Sequence, residues 1–490
     1  MMATNTSTEL QELPPQQQFA NEANQNGVNG INGDANDGWG KGVRLGDNVM
    51  KDGTPPGDNP SRISSESLAE RDQDLPHPTT TTEVLQRWNH PRSNIARLAA
   101  AFWAFIVAGA NDAAYGPLIP YLEEYYNLSY LVVSLVFLSP FIGYTLSALC
   151  NNYVHLWWGQ RGVALISPSA HLAAYIIIAC HPPYPVLVVA FSLAGFGNGL
   201  VDAAWNAWIG NMARADEILG FLHGFYGVGA VVSPLIATSM ITRLGQPWWA
   251  YYYLMIGLAG IELVTSAAAF WPQNAQAYRD SLSRSAGVGE PQKGALREVL
   301  FKKGYARVAW LISIFLLCYV GAEVAIGGWI VKFMMEIRNA PGFESGMSAM
   351  GFWLGLVVGR VILGFVTPKL GVKLAVTIYL IPVMALQLVF WLVPQFYVSV
   401  VAVALQGFFI GPLFPAAIVV ATKLLPKHLH VSAIGFAAAF GGSGAAVLPF
   451  AIGAIAQAKG VWVLQPIILA LFAVLLLLWL CLPRLNKKRD

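Results

Sequence analysis

From Ile95 to Leu482 this 490-residue chain is a succession of apolar segments, each close to the ~20 residues that an α-helix needs to cross bilayer hydrocarbon. Lipid offers the backbone no water to bond, so such runs satisfy their own amides as helices. Twelve are expected, at 95–120, 130–151, 162–181, 185–211, 218–243, 248–272, 307–336, 345–367, 372–393, 396–424, 430–458 and 462–482. Between the sixth and seventh lies one long polar connection, 273–306, carrying Arg279, Arg284, Lys293, Arg297, Lys302 and Lys303. The expected fold is therefore an all-α membrane protein: six-helix bundles at 95–272 and 307–482 joined by that loop. With 55% apolar and 12% charged residues and a mean hydropathy of +0.51, an ordinary soluble surface is excluded. A net charge of +3 gives no ground for a nucleic-acid partner; the bilayer is the expected partner, and the chain is expected as a monomer.

Residues 1–94 are rich in Asn, Gln, Gly, Ser, Thr and Pro, too polar to offset ordering entropy, and are expected to form a disordered tail. They lack a basic start followed by an apolar run, so no cleavable leader is expected and insertion falls to the first membrane helix. Cys150, Cys180, Cys318 and Cys481 stand singly, without metal or redox spacing, and are expected to be packing residues.

The two bundles repeat each other. Gly109-Ala110-Asn111 through Gly116, Glu124 and Asn127 returns 212 positions later as Gly321-Ala322-Glu323 through Gly328, Glu336 and Asn339. Gly195-Phe196 and Gly199 return at the same offset as Gly407-Phe408 and Gly411, and Gly159-Gln160-Arg161 as Gly371-Val372-Lys373. Gly227-Val228-Gly229-Ala230 with Pro234 reappears 215 positions on as Gly442-Ser443-Gly444-Ala445 with Pro449. A duplicated membrane domain with ionisable groups at mid-bilayer depth is the layout of a secondary transporter.

Those groups are Asp112, Asp202 and Glu323. An ionised carboxylate at the centre of a membrane helix costs about 2.5–3.5 kcal/mol on insertion scales, so each needs a partner, a watery cavity or a proton. A carboxyl group taken out of water holds its proton more tightly, which suits proton coupling; a structural hydrogen bond between helices is the other reading. Asn206 lies one turn after Asp202 on the same face, and His223 shares a face with Tyr226; all three could bond a polar solute, though His223 could equally cap a helix. Arg360, the one arginine well inside an apolar span, should meet a carboxylate or the solute, or else a packing ion pair near the membrane face. Trp205 and Trp329 neighbour polar positions and could stack on a sugar ring, although membrane tryptophans more often pack between helices or lie at the interface. Lys332 and Glu336, four residues apart, are expected to form an exposed pair.

Basic residues concentrate on one side, at Arg92, Arg97, Arg161, Arg214, the central loop, Lys369, Lys373, Lys423, Lys427 and the tail 483–490, which puts both termini in the cytoplasm. The Asn127-Leu128-Ser129 sequon then faces outward, very close to the membrane, and Asn5-Thr6-Ser7 lies on the wrong side for glycosylation.

Twelve spans in two homologous halves, a basic central loop and Gly-x-Arg/Lys turns after spans two and eight resemble the major facilitator superfamily. The turn at Gly159-Gln160-Arg161-Gly162 lacks that family's upstream Asp. Within the superfamily, Asn111-Asp112 with Leu118-Ile119-Pro120 resembles the first helix of the fucose/galactose/proton symporter family. Gly199 through Asn206 resembles its fourth helix, with Asp202 where the fucose permease has a glutamate. Tyr319-Val320-Gly321-Ala322-Glu323, Gly359-Arg360 and Gly441-Gly442 through Pro449 are similar to its seventh, eighth and eleventh helices. Fungal carriers of the bypass-of-stop-codon type belong to this branch, and the Asn/Gln-rich start suits such a source.

There is no GxxxxGK[ST] loop, Gly-x-Ser-x-Gly elbow or metal-ligand cluster, so no enzyme and no cofactor is expected and energy must come from an ion or solute gradient. The resemblance implies proton-coupled uptake of a hexose-like solute, with proton coupling at Asp202 and Asp112 and solute contacts from Asp112, Asn111, Asn206, His223, Tyr226, Glu323, Trp205, Trp329 and Arg360. Proton-antiport efflux of an amphipathic metabolite and a non-transporting nutrient sensor are the alternatives. The plasma membrane is the first expectation for location, with the vacuolar membrane left open.

Overall fold

A computed structural model describes residues 86–285, 295–426 and 429–483. The expectation of a disordered tail falls, up to residue 85, outside the described residues, as do Lys293, Lys427 and the basic tail from Arg484. After a small turn closed by Arg87 and His90, helices follow one another. They are α1 Ser93–Tyr126, α2 Tyr130–Val133, α3 Leu135–Ala179, α4 Tyr184–Gly210, α5 Ala215–Thr242 and α6 Ala250–Phe270. The polar connection is itself helical in part, as α7 Ala275–Ser285 and α8 Ala295–Phe301. The second set is α9 Tyr305–Ile337, α10 Gly342–Leu370, α11 Val372–Leu392, α12 Phe396–Ile410, α13 Leu413–Leu424, α14 His430–Lys459 and α15 Leu464–Cys481.

Among the described residues, eleven helices are long and apolar enough to cross a membrane, rather than twelve. The difference arises at α3, which runs through both the second and third expected spans. Straight, its 45 residues would extend ~68 Å, more than twice the hydrocarbon thickness. It is not straight, because Gly159 has φ +70° and ψ −163°, outside any helix. Ser147 packs on Gly199 and Ser167 bonds the carbonyl of Gly197, so residues on either side of Gly159 reach the same level of α4. The chain therefore reverses at Gly159, where a side chain would strike Asn274. Arg279 closes the same corner by donating to the Leu156 carbonyl at 3.2 Å.

The 212-residue repeat is visible in the backbone. Gly159 and Gly371 both take positive φ, +70° and +83°, and Asn127 and Asn339 both take the left-handed conformation, φ 52° and 50°. Helix contacts repeat as well. Gly143 abuts Ser192 and Gly195 abuts Pro140; at the same offset, Gly355 abuts Ala404 and Gly407 abuts Phe352. Gly109 and Gly229 bring α1 against α5 as Gly321 and Gly444 bring α9 against α14. Small residues at these crossings let backbones touch, which is where association of helices in lipid gains its packing. Of the cysteines only Cys318 is buried; Cys150, Cys180 and Cys481 lie on the surface, so packing does not explain them.

The two halves meet along one end of the molecule. Gly116 touches Gly327, Phe137 covers Gly328, Ser134 meets Gly453, and Thr238 and Thr242 meet Gly346 and Gly342. Lys332 lies there with only 11% of its side chain exposed, bonded to Glu123 of α1 at 2.8 Å and to Glu336 at 2.7 Å, while Tyr130 donates to Glu336 at 2.5 Å. The expected exposed Lys332–Glu336 pair is thus a clamp across the halves, because a second carboxylate from α1 comes over it.

If Gly371 is held at positive φ, Gly371→Ala should cost about 1–3 kcal/mol, whereas Asn339→Gly should change stability by only a few tenths. Thermal unfolding of the detergent-purified variants measures both; an unperturbed Gly371→Ala would contradict this turn.

Candidate functional site

Between the halves lies a cavity of about 620 Å³, within the range of small-molecule pockets. Its wall takes Asp112 from α1, Phe137, Tyr144 and Ser147 from α3, Asp202 from α4 and Tyr226 from α5. The other half supplies Glu323 from α9, Trp353 from α10 and Ser443 from α14. It runs from the interlocked end towards Ala148, Ala203 and Ala438, away from the Lys332 clamp. All three intramembrane acids named from the sequence converge on it.

Each acid is held differently. The Oδ1 atom of Asp112 accepts from Asn111 and from Asn198, both at 3.0 Å, and its Oδ2 accepts from the Tyr226 hydroxyl at 3.0 Å. Three donors from three helices thus fix one carboxylate without any cation. Asp202 faces the cavity and receives a single side-chain donor, Asn206 Nδ2 at 2.8 Å, which also reaches the Asp202 carbonyl. The Oδ1 of Asn206 lies 3.1 Å from His223 Nε2, so His223 sets the orientation of that amide. Glu323 faces a cation: its Oε1 lies 3.8 Å from Arg360 Nη2.

Arg360 has a second task that follows from sequence. Pro415 has no N–H, so the carbonyl of Gly411 lacks its helical partner four residues on, and the helix breaks between α12 and α13 at Gly411-Pro412. Arg360 Nε donates to that carbonyl at 3.1 Å, and its Nη2 comes within 3.5 Å of the Tyr319 hydroxyl.

Several expected site residues stand elsewhere. Trp205 is fully buried, stacked on Phe270 at 4.2 Å, and Trp329 is fully buried with its indole N–H on the Pro449 carbonyl at 2.9 Å. Neither indole reaches the cavity, because each helix is rotated to use it as a packing wedge; Trp353 is the tryptophan in the wall. Asn111 is fully buried and bonds Asp112 and Tyr115, so it supports the site from behind. Asn206, His223 and Arg360 do not line this cavity either, and each is bonded to another residue, His223 on an exposed surface. Asn198, the second donor to Asp112, was missed, since an asparagine among Gly and Leu carries no distinguishing pattern.

The cavity can therefore offer a solute carboxylate acceptors, phenol and hydroxyl groups and an indole face. If Arg360 and Glu323 interact across 3.8 Å, a double-mutant cycle of Arg360→Met and Glu323→Gln should show a coupling of about 0.5–3 kcal/mol in thermal stability. Simple additivity would mean that Arg360 does not act on Glu323 and serves only the Gly411 carbonyl and the Tyr319 hydroxyl.

Comparison with known proteins agrees with this architecture. The family model of the Major Facilitator Superfamily matches residues 101–393 and 312–490. The chain is 30% identical over 422 residues to "Bypass of stop codon protein 6" of Saccharomyces cerevisiae, covering 80% of this chain and 84% of that one. It is 24% identical over 357 residues to "Glucose/mannose transporter GlcP" of Bacillus subtilis (71% and 85% covered). It is 26% identical over 388 residues to a "Glucose/galactose transporter" of Brucella abortus (75% and 88%). A solved D-xylose-proton symporter superposes with a TM-score of 0.66 at 14% identity, over 80% of this chain and 98% of that one, a likeness of fold. The chain is a multi-pass membrane protein that belongs to the Major Facilitator Superfamily of transporters.

Proposed function

We propose that the protein carries a sugar-like polar solute across the membrane together with a proton, by exposing the central cavity alternately to either side. The observation that carries this reading is the convergence of Asp112, Asp202 and Glu323 on one cavity formed by both halves. Relatives named as glucose/mannose and glucose/galactose transporters support the solute class. Asp202, facing the cavity with a single side-chain donor, is the proton-carrying acid. Asp112, held by three donors and still lining the cavity, accepts from solute hydroxyls alongside Tyr226 and Glu323. Asn111, Asn198, Asn206 and His223 hold these groups in place, and Arg360 sets the charge of Glu323.

The Lys332 clamp is the closed gate in this reading. The Lys/Arg bias places that gate on the outer face and both termini in the cytoplasm, so the cavity opens inward. Such a carrier acts as a monomer, without a cofactor, at the plasma membrane.

The test is flux in proteoliposomes holding the purified full-length protein, with radiolabelled D-glucose and related hexoses. Uptake should rise with an inward proton gradient and collapse with a protonophore; solute driven outward by that gradient would instead indicate antiport, and binding without flux a sensor. Asp202→Asn mimics a permanently protonated acid and should abolish accumulation against a gradient while leaving downhill exchange. Asp112→Asn should weaken solute affinity about ten- to a hundredfold, the worth of a hydrogen bond to a charged group. Asp202→Asn protein that still concentrates solute with an unaltered pH profile would refute the assignment.

A further inference from the structure

A second ionisable pair lies inside the amino-terminal half, away from the cavity. His171 of α3 and Glu262 of α6 are both fully buried, with His171 Nδ1 2.9 Å from Glu262 Oε2. The other atom of each group, His171 Nε2 and Glu262 Oε1, has no hydrogen-bond partner among the described residues. The ring edge of His171 rests against Gly197, where a side chain would come within 2.5 Å of Nε2. The next residue, Asn198, is the one that donates to Asp112.

The fold does not require charge at this place. At the 212-residue offset the second half has Val383 and Val474, and the residues after Val474 are leucines. That half does bridge the corresponding helices, α11 and α15, but one or two turns away and with neutral amides: Gln387 Nε2 donates to Gln465 Oε1 at 2.7 Å. Replacing a buried ion pair by well-packed apolar groups is often neutral or stabilising, so packing alone is a poor reason to keep one. The charged version stands only in the half that contains Asp112 and Asp202.

We propose that His171 and Glu262 form a second proton-holding site, connected to Asp112 through the Gly197-Asn198 stretch of α4. In its deprotonated state a neutral imidazole donates from Nδ1 to the carboxylate, and the pair bears one negative charge. One added proton, taken on the open Nε2 or on the carboxylate, makes the pair neutral overall. Tyr175, on its own helix, stacks on the His171 ring at 5.9 Å, with Tyr252 of α6 a further 6.0 Å beyond; from α4 Gly197 abuts the ring, and its neighbour Asn198 leads to Asp112 of α1. Gly197 abuts the His171 ring and the adjacent Asn198 donates to Asp112, so a proton here can alter what Asp112 offers a solute without touching that solute.

The coupling role rests on the proton-linked reading above, whereas proton holding can be measured without any solute. The variant that decides is H171Q/E262Q, which installs the neutral amide pair the other half already uses. Potentiometric titration of the purified full-length protein from about pH 9 to about pH 5 should show the double variant binding one proton fewer than the wild type. Equal proton uptake would overturn the site. In proteoliposomes, with D-glucose as probe, the double variant should retain measurable counterflow, lose accumulation driven by a proton gradient and show a flattened pH profile. Accumulation and pH profile like those of the wild type would reduce the pair to packing. Should the double variant not fold, by thermal unfolding, E262Q keeps the hydrogen bond and is judged by the same two readouts. A wild type whose flux ignores the proton gradient would sink the proton-linked reading, and the coupling role with it, while leaving the titration to decide proton holding.

Discussion

A polar group inside hydrocarbon has no water to fall back on, and almost every feature of this molecule follows from that. Backbone amides are satisfied within helices. Where a helix breaks, at Gly411-Pro412, a side chain from another helix makes good the loss. Acids are tolerated only with a cavity or donors around them: Asp112 holds three donors, Asp202 meets the cavity directly, and Glu323 faces a cation. The same rule makes the unbonded atoms of His171 and Glu262 conspicuous.

The duplicated halves share a scaffold and differ in chemistry. Glycine contacts between helices recur at the fixed offset, so the two bundles pack alike. The carboxylates do not recur in that way. Asn111 and Asp112 stand at and beside the repeat position of Glu323, but nothing in the second half answers Asp202, where Phe414 stands at the offset. One half thus supplies Asp112 and Asp202, while the other contributes Glu323 with Arg360 beside it; both share the apolar wall. In the proposed cycle, symmetric packing would permit two equivalent ways of closing the cavity, and asymmetric chemistry would make their occupancy depend on what is bound.

Apolar run length and the repeat made the membrane-spanning architecture legible, since both leave strong marks in a sequence. Gly159 and Gly371 marked turns because their positive φ admits few other residues. That the turn between spans two and three narrows to Gly159 was not legible, because residues 152–161 read as a loop. Asp112, Asp202, Glu323 and Arg360 stood out because charge in an apolar run is rare. By the same criterion Glu262 was readable and was passed over, and with it His171. The tryptophans could not be placed: on a helix apolar all round, sequence does not say which face turns inward, so Trp205 and Trp329, beside polar positions, were preferred although Trp353 is the one in the wall. Lys332 looked exposed because its second partner, Glu123, lies 209 positions away in the chain.

The bond from Arg360 to the Gly411 carbonyl has an evolutionary corollary. It exists because Pro415 cannot supply the amide that an ordinary helix would. In a descendant that replaced Pro415 with a residue carrying an N–H, the carbonyl would recover its local partner, and selection on position 360 would relax to the Glu323 contact alone. Lysine, a point charge without a planar fork, could then stand where it now could not. Positions 360 and 415, on α10 and α13, should therefore drift as a pair.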